Sequence, residues 1–376
     1  VAILVAVAAV LTERRMSSAL PRPSGALPVG VTTLTLVREA SGGIAPGTYE
    51  VQVWYPGRKS NDRAPYGTGV PGFKSFVYHR LVRSHAARDV AVAGATERFP
   101  VVVYVAGWGG QRTDNTIVAE DLASNGFVVA AISDPSHDDP PAATFAAPAD
   151  FSSQHAYEAT VRLAAARLAY EARRASDVLD ELQLLERRDP SGRFTNRLRL
   201  TDAGIVGFSF GGAVALEACG RDERFAAAVN IDGWLFDARN ARMCPYLLIS
   251  DKAPFPTQAD LSSADLEHRF ESILTVADEP LQKAALSYDG YALLVDGATH
   301  VDFTDAPAYS PLKWYRRASI DPRRMSNILT RYLLSFFGEY VKGESSPLLV
   351  PGATLDPAAT LTHAGGSRER RRGSAS

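Results

Sequence analysis

The sequence predicts an α/β fold, with a mainly parallel central sheet and helices on both faces. Three observations carry that expectation. Of 376 residues, 46% are apolar and 22% charged, the balance of a globular chain rather than a disordered one. Short, wholly apolar runs bounded by Gly, Asp or Pro recur along it, as in strands covered on both faces. Helical patterns separate those runs, and strand-helix alternation is what parallel strands joined by crossover helices produce.

Residues 1–11 (VAILVAVAAVL) form an unbroken apolar run, followed by Thr12, Glu13, Arg14 and Arg15. At eleven residues the run is short of the roughly 20 that span a bilayer. Residues 1–17 are therefore expected to be the remnant of a signal or membrane segment, with a buried helix as the alternative. An extracytoplasmic chain, secreted or anchored, is the corresponding expectation, although Arg14 and Arg15 disfavour export slightly. Residues 18–30 (SALPRPSGALPVG) are punctuated by Pro, Gly and Ser and read as an extended linker. A single catalytic domain is expected over 31–345.

Within it, Val31 to Val37 and Tyr49 to Tyr55 alternate like half-buried strands. Residues 56–98, rich in Gly, Pro, Tyr and Phe, read as a long insertion that caps the site, meets a lipid surface or is a variable loop. The apolar runs Val101 to Ala106, Phe127 to Ile132, Ala203 to Phe208, Ala226 to Ile231, Tyr246 to Ile249 and Tyr291 to Val295 read as buried strands. Helices are expected at Thr116 to Ser124, about Ser153 to Leu185, Gly212 to Cys219, Ala264 to Leu286 and Met325 to Tyr340. Residues 346–376 form a C-terminal extension whose end, Gly365 to Ser376, is a basic, Ser/Gly-rich tail read as disordered.

A formal net charge of −2 provides no global field for a polyphosphate, so no nucleic-acid partner is expected. Two cysteines are too few for a disulfide scaffold or a four-ligand zinc site. Cys219 ends the helix that follows Ser209, and Cys244 precedes a later strand. Both should lie at the sheet's amino end, where a bridge is plausible in an exported chain.

Sites in such sheets form outside the carboxyl ends of the strands, and the chemistry-bearing residues fall there. The run ending at Val206 continues into Gly207-Phe208-Ser209-Phe210-Gly211-Gly212 and then a helical pattern. This is a G-x-S-x-G elbow, in which a Cβ at Gly207 or Gly211 would strike the neighbouring strand or helix. The turn exposes the Ser209 hydroxyl and aims the Phe210 N–H at the same space. A serine hydroxyl needs a base, and the base needs an orienting acid. Of seven histidines, only His300 follows the last strand, where α/β-hydrolase chain order puts the base. His79 and His85 fall in the insertion, His155 and His268 on charged helices, and His363 in the tail. His137 follows a strand and precedes Asp138 and Asp139, so it lines either the mouth of the site or a surface loop. Asp232 and Asp251 both stand at strand ends, and pattern alone leaves both open as the acid. Ala106-Gly107-Trp108-Gly109-Gly110 follows an early strand and should supply a second oxyanion donor, the Trp108 N–H.

Together these segments resemble the plasma-type platelet-activating factor acetylhydrolase family of α/β-hydrolases. Phe99 to Val103 leading to Gly107 to Gly110, Arg112 and Thr113 is similar to the family's oxyanion segment, and Asp121 to Ala131 is similar to the stretch next to it in the family. Gly207 to Gly212 resembles the elbow, Arg224-Phe225 with Asn230 to Trp234 the acid segment, and His300 to Asp305 the histidine segment. The resemblance spans roughly residues 28–345. It implies an α/β-hydrolase fold, Asp232 rather than Asp251 as the acid, and a pocket wall that includes Trp234 and Phe208. It also implies cofactor-independent and metal-independent hydrolysis of short or oxidised acyl esters, notably at the second position of a phospholipid, with a membrane surface as a candidate partner. Ala106 and Phe208 stand where the family usually has histidines, which alters the pocket wall but no triad member. General carboxylester or polyester hydrolysis, and acyl transfer on the same triad, are the alternatives; acyl length, headgroup and oligomeric state are left open.

Overall fold

The computed structural model describes residues 20–40, 43–66, 82–238, 244–309, 320–350 and 352–364. The apolar run at 1–11, His79 and the basic tail from 365 lie outside the described residues. Eleven strands are described: β1 Val29–Arg38, β2 Gly47–Pro56, β3 Arg63–Pro65, β4 Arg83–Arg88, β5 Phe99–Val105, β6 Val128–Ile132, β7 Leu198–Phe208, β8 Phe225–Ile231, β9 Tyr246–Asp251, β10 Gly290–Val295 and β11 Ala359–His363. They form one sheet in the order β11-β10-β9-β8-β7-β5-β6-β2-β1-β4-β3. Its middle, β6 to β10, is parallel throughout, so six carboxyl ends share one edge.

Five longer helices cover the sheet: α1 Thr116–Ser124, α2 Gln154–Arg187, α3 Phe210–Arg221, α4 Leu266–Leu286 and α5 Pro322–Phe337. The period of two in the strands divides the core between the faces. Val101, Val103 and Val105 of β5 pack with Leu168, Leu179, Val214 and Leu216 of α2 and α3. Val102 and Tyr104 point the other way, to Leu122 of α1 and Ile328, Leu333 and Phe336 of α5. All seven residues of β5 and all five of β6 are buried, which is why those runs carry no polar alternation. The helices start on caps legible in the chain: Ser153 accepts the Ala156 N–H, and Asp321 accepts the Arg323 and Arg324 N–H groups ahead of Pro322.

The Pro-rich approach to the domain is extended yet docked. Ser24 N–H donates to Asp121 (2.6 Å), Gly25 N–H to Ser124 Oγ (3.0 Å), and Leu27 N–H to the Ser124 carbonyl (3.1 Å). Its backbone groups thus find partners at the end of α1, and β1 begins at Val29. The segment read as an insertion contributes β3 and β4 to the far edge of the sheet, β4 pairing in parallel with β1. The other edge is β11, antiparallel to β10, so the sheet continues past residue 345. His363, expected in the tail, ends β11, where its ring centroid lies 4.4 Å from that of Tyr291. Cys219 and Cys244 form a disulfide with a Cα separation of 6.3 Å. It lies beside Phe225 and Tyr246, which open β8 and β9, at the amino end of the sheet. Among the described residues, no helix is long and apolar enough to cross a membrane.

Candidate active site

Register brings the site residues together. Phe208, the last residue of β7, pairs with Ile231, the last of β8, so Ser209 and Asp232 leave adjacent strand ends side by side. Ser209 sits between β7 and α3 with φ 54° and ψ −126°, a conformation costing a non-glycine residue about 1–3 kcal/mol. Two glycines make that turn possible. A Cβ on Gly207 would come within 1.8 Å of the Gly211 carbonyl oxygen, and one on Gly211 within 2.2 Å of the Val105 carbonyl oxygen. The turn is held by Ser209 N–H donating to Ile231 (2.7 Å) and Gly212 N–H donating to Ser209 (2.8 Å).

Asp232 is also held at positive φ, 56°, with its N–H on the Ile249 carbonyl (2.7 Å). Its Oδ2 meets His300 Nδ1 at 2.6 Å, and its Oδ1 accepts the backbone N–H of Asp251 at 3.2 Å. Of the two acid candidates, Asp232 therefore holds the imidazole, while Asp251 supports that carboxylate through its backbone. Burial, and then the neighbouring Asp232 charge, push the Asp251 carboxyl above its ordinary range. In the tautomer that carries its proton on Nδ1, an imidazole has its lone pair on Nε2. The imidazole is half exposed and the carboxylate largely buried.

His300 opens a short helical turn, His300–Phe303, whose start is fixed by Asp302 accepting the Thr299 N–H (2.9 Å) and hydroxyl (2.8 Å). Asn115 Nδ2 donates to the Phe303 carbonyl (2.6 Å) and its Oδ1 accepts the Tyr104 hydroxyl (2.7 Å), tying the turn to β5. Asp305, fully buried, accepts the Ile117 N–H (3.1 Å) and the Tyr66 hydroxyl (2.9 Å). Burial pushes its carboxyl well above the usual range. Phe208 stacks on the imidazole, ring centroids 4.7 Å apart, which limits how the ring can turn.

The loop after β5 flanks the serine, since a Cβ on Gly107 would lie 3.0 Å from the Ser209 Cβ. It is folded by Gly110 N–H donating to Gly107 (2.8 Å) and Gly109 N–H donating to Asp134 (2.9 Å). His137 is exposed, its Nε2 2.9 Å from the Gly109 carbonyl oxygen, so it packs on this loop. The Trp108 indole N–H donates to Ala147 (2.9 Å) and its ring meets Phe210 edge-on at 5.2 Å. Phe210 is the first residue of α3, whose leading N–H groups have no acceptor within the helix. Trp234, half-buried beyond the Asp232 turn, donates to Thr275 (3.0 Å) and faces Phe236 and Phe151 edge-on.

The sequence pattern gives no role to Asn115 or Asp134, and it places Asp305 only as the end of the histidine segment. Asp134 had a usable signal, because it follows the end of β6, where the site was expected. Arg167 had none: it reads as one of many charges on α2, yet its side chain is completely buried against Asp134.

Known proteins bear on this geometry. The family described as platelet-activating factor acetylhydrolase, isoform II, matches residues 14–189 and 185–345. The platelet-activating factor acetylhydrolase of Bos taurus is 28% identical over 166 residues, 37% of this chain and 36% of that protein. That of Cavia porcellus is 26% identical over 162 residues, with the same coverage. The chain thus spans about a third of the length of these curated relatives. A ferulic acid esterase from Streptomyces cinnamoneus superposes with a TM-score of 0.64 at 24% identity, covering 91% of this chain and 98% of its own, a likeness of fold.

Proposed function

The chain belongs to the platelet-activating factor acetylhydrolase, isoform II, family, and from that premise we propose that it is a serine carboxylic-ester hydrolase working through Ser209, His300 and Asp232. The observation that carries the reading is the 2.6 Å contact of Asp232 with His300 Nδ1, at the strand end next to the strained Ser209 elbow. In the first step His300 Nε2 takes the Ser209 hydroxyl proton as Oγ attacks the ester carbonyl. The N–H groups of Phe210 and Trp108 receive the negative oxygen. The tetrahedral species collapses, the alcohol leaves with the proton from His300, and the acyl group remains on Ser209. Water then repeats the sequence and releases the acid. Asp232 fixes the imidazole tautomer and stabilises the cation that forms in both steps.

The substrate we propose is a short or oxidised acyl ester, including the second position of a phospholipid. An exposed apolar side chain next to the proposed base suits a lipid: Val301, beside His300, is 38% exposed. The disulfide is the support for an extracytoplasmic location, because such bonds persist in oxidising compartments.

The test uses p-nitrophenyl acetate, butyrate and decanoate and an sn-2 acetyl phospholipid, alongside Ser209→Ala and a fluorophosphonate label. Turnover that favours short chains, includes the phospholipid and disappears with the label in Ser209→Ala is the expected result. Cleavage of simple esters without the phospholipid would leave the triad and remove the lipid substrate. Turnover retained by Ser209→Ala would remove the proposal.

A further inference from the structure

The most deeply buried cation in the described residues lies under the oxyanion loop. Arg167, from the middle of α2, has no side-chain exposure. It pairs with Asp134 and hydrogen-bonds Glu171 Oε1 at 2.7 Å. Its guanidinium carbon stands 4.2 Å from the centroid of the Trp108 ring and 5.0 Å from that of Phe210. Asp134, in turn, accepts the Gly109 N–H (2.9 Å) and the Ser136 N–H (2.8 Å). One buried cation therefore contacts both residues whose N–H groups are assigned to the oxyanion and, through one carboxylate, the N–H that follows Trp108.

Stability alone does not account for this arrangement. Taking an arginine and two carboxyl groups out of water is costly, and well-packed apolar residues commonly replace such clusters without loss. The cluster is also asymmetric. Burial opposes charge on Asp134, yet the adjacent Arg167 and its hydrogen bonds hold that carboxyl below its ordinary range. Burial instead pushes Glu171 up to about 7. Of the two carboxyl groups, Asp134 is the one that also grips the loop, through the Gly109 N–H.

We propose that Arg167 is a positioning residue, which, stacked under Trp108 and Phe210 and paired with Asp134, holds their two backbone N–H groups at the spacing that a developing oxyanion requires. The inference rests on the serine-hydrolase reading of the site. A planar guanidinium suits the task because it can pair with a carboxylate in its plane and present its face to a ring at once, which an ammonium cannot.

The test is steady-state hydrolysis of p-nitrophenyl acetate by the full chain, with the rate of fluorophosphonate labelling as a second readout. Arg167→Met and Asp134→Asn should lower kcat about 100-fold with KM changed less than about threefold, since the loss falls on the transition state. Arg167→Lys should recover only part of the rate. Arg38→Met is the matched control. It loosens a neighbouring buried cluster, in which Arg38 and Arg174 share Asp138, without touching the loop, and should leave kcat unchanged. Asp134→Asn, which keeps the side chain's size, carries the test where Arg167→Met does not fold. Folded Arg167 and Asp134 variants with wild-type kcat, or an equal loss in Arg38→Met, overturn the proposal. Ser209→Ala run in parallel separates the two levels: a dead Ser209→Ala beside fully active brace variants removes only the brace, whereas an active Ser209→Ala removes the site assignment beneath it.

Discussion

Gly211→Ala isolates the spacing of the two proposed oxyanion donors, the Phe210 and Trp108 N–H groups, without touching a proposed reactive group. The added Cβ would lie 2.2 Å from the Val105 carbonyl oxygen and 2.7 Å from that of Ala106, both rigid backbone. Relief to the roughly 3.0 Å at which such contacts begin requires α3 and the end of β5 to separate by about 0.8 Å, the kind of overpacking that costs about 1–3 kcal/mol. Phe210 moves with α3, and Trp108 with the loop after β5, so the two N–H groups part by a similar distance. A hydrogen bond lengthened that far is largely lost, and losing one donor lowers kcat by about 100-fold or more. That is roughly 2.7 kcal/mol of transition-state stabilisation. Gly338→Ala provides the comparison, because the nearest atom to its Cβ is 3.7 Å away and nothing must move. The assay is kcat and KM on p-nitrophenyl acetate, with thermal unfolding by circular dichroism to show that both variants are folded. A folded Gly211→Ala enzyme within about threefold of wild-type kcat would refute the assignment of Phe210 and Trp108 as paired donors.

Two further outcomes concern features away from the serine. Cys219 and Cys244 close a loop of 25 residues; opening it by Cys219→Ala with Cys244→Ala should cost about 3 kcal/mol in urea unfolding. Because the bridge lies at the amino end of the sheet, kcat of the folded variant should stay at the wild-type value, and a large drop would show that the two ends are coupled. Glu171, raised by burial from 4.5 to about 7, holds its proton more tightly in the folded chain than in the unfolded one. The stability it contributes is complete below the unfolded value and is lost as pH rises through about 7, so Glu171→Gln should flatten the fall in unfolding free energy between pH 5 and pH 8. Parallel pH curves for the two proteins would disprove that role.

The parts of the fold legible in the sequence are those decided by burial on both faces. Thr116 to Ser124 is legible to its observed ends, and five of the six central strands to within two residues, because their apolar runs are short and bounded by turn residues; β7 begins five residues before its apolar run, in a stretch that carries Arg199, Thr201 and Asp202. Edge strands escape such a reading. β4 (RSHAAR) and β11 (ATLTH) are polar on at least one face, and their pairing depends on a partner edge rather than on their own periodicity. The places of the Ser209 elbow and of His300 can be read, because both follow strands in the chain. The choice of Asp232 over Asp251 cannot be made from pattern, since both follow strands; it turns on which carboxylate the histidine reaches across β9. Arg167 is invisible for a different reason: a charge on an amphipathic helix is normally solvated, and only tertiary packing of α2 against the loop after β5 buries it.

The order of strands in the sheet also sets an order in time. Chain growth lays down the centre of the sheet before one of its borders, and Ser209 is made roughly 90 residues before His300, or about 5–20 s earlier at common elongation rates. β7, α3 and the sharp turn between them can pack on β5 and β8 while β10 and its edge partner β11 are still unmade. A nascent chain halted before residue 290 would therefore carry the shaped elbow without the proposed base. β10, the strand ahead of His300, joins after the centre of the sheet is made, and its free edge is covered only when residues 359–363 arrive. On the proposed reading, Ser209 is in this sense without its base until residue 300 has been made.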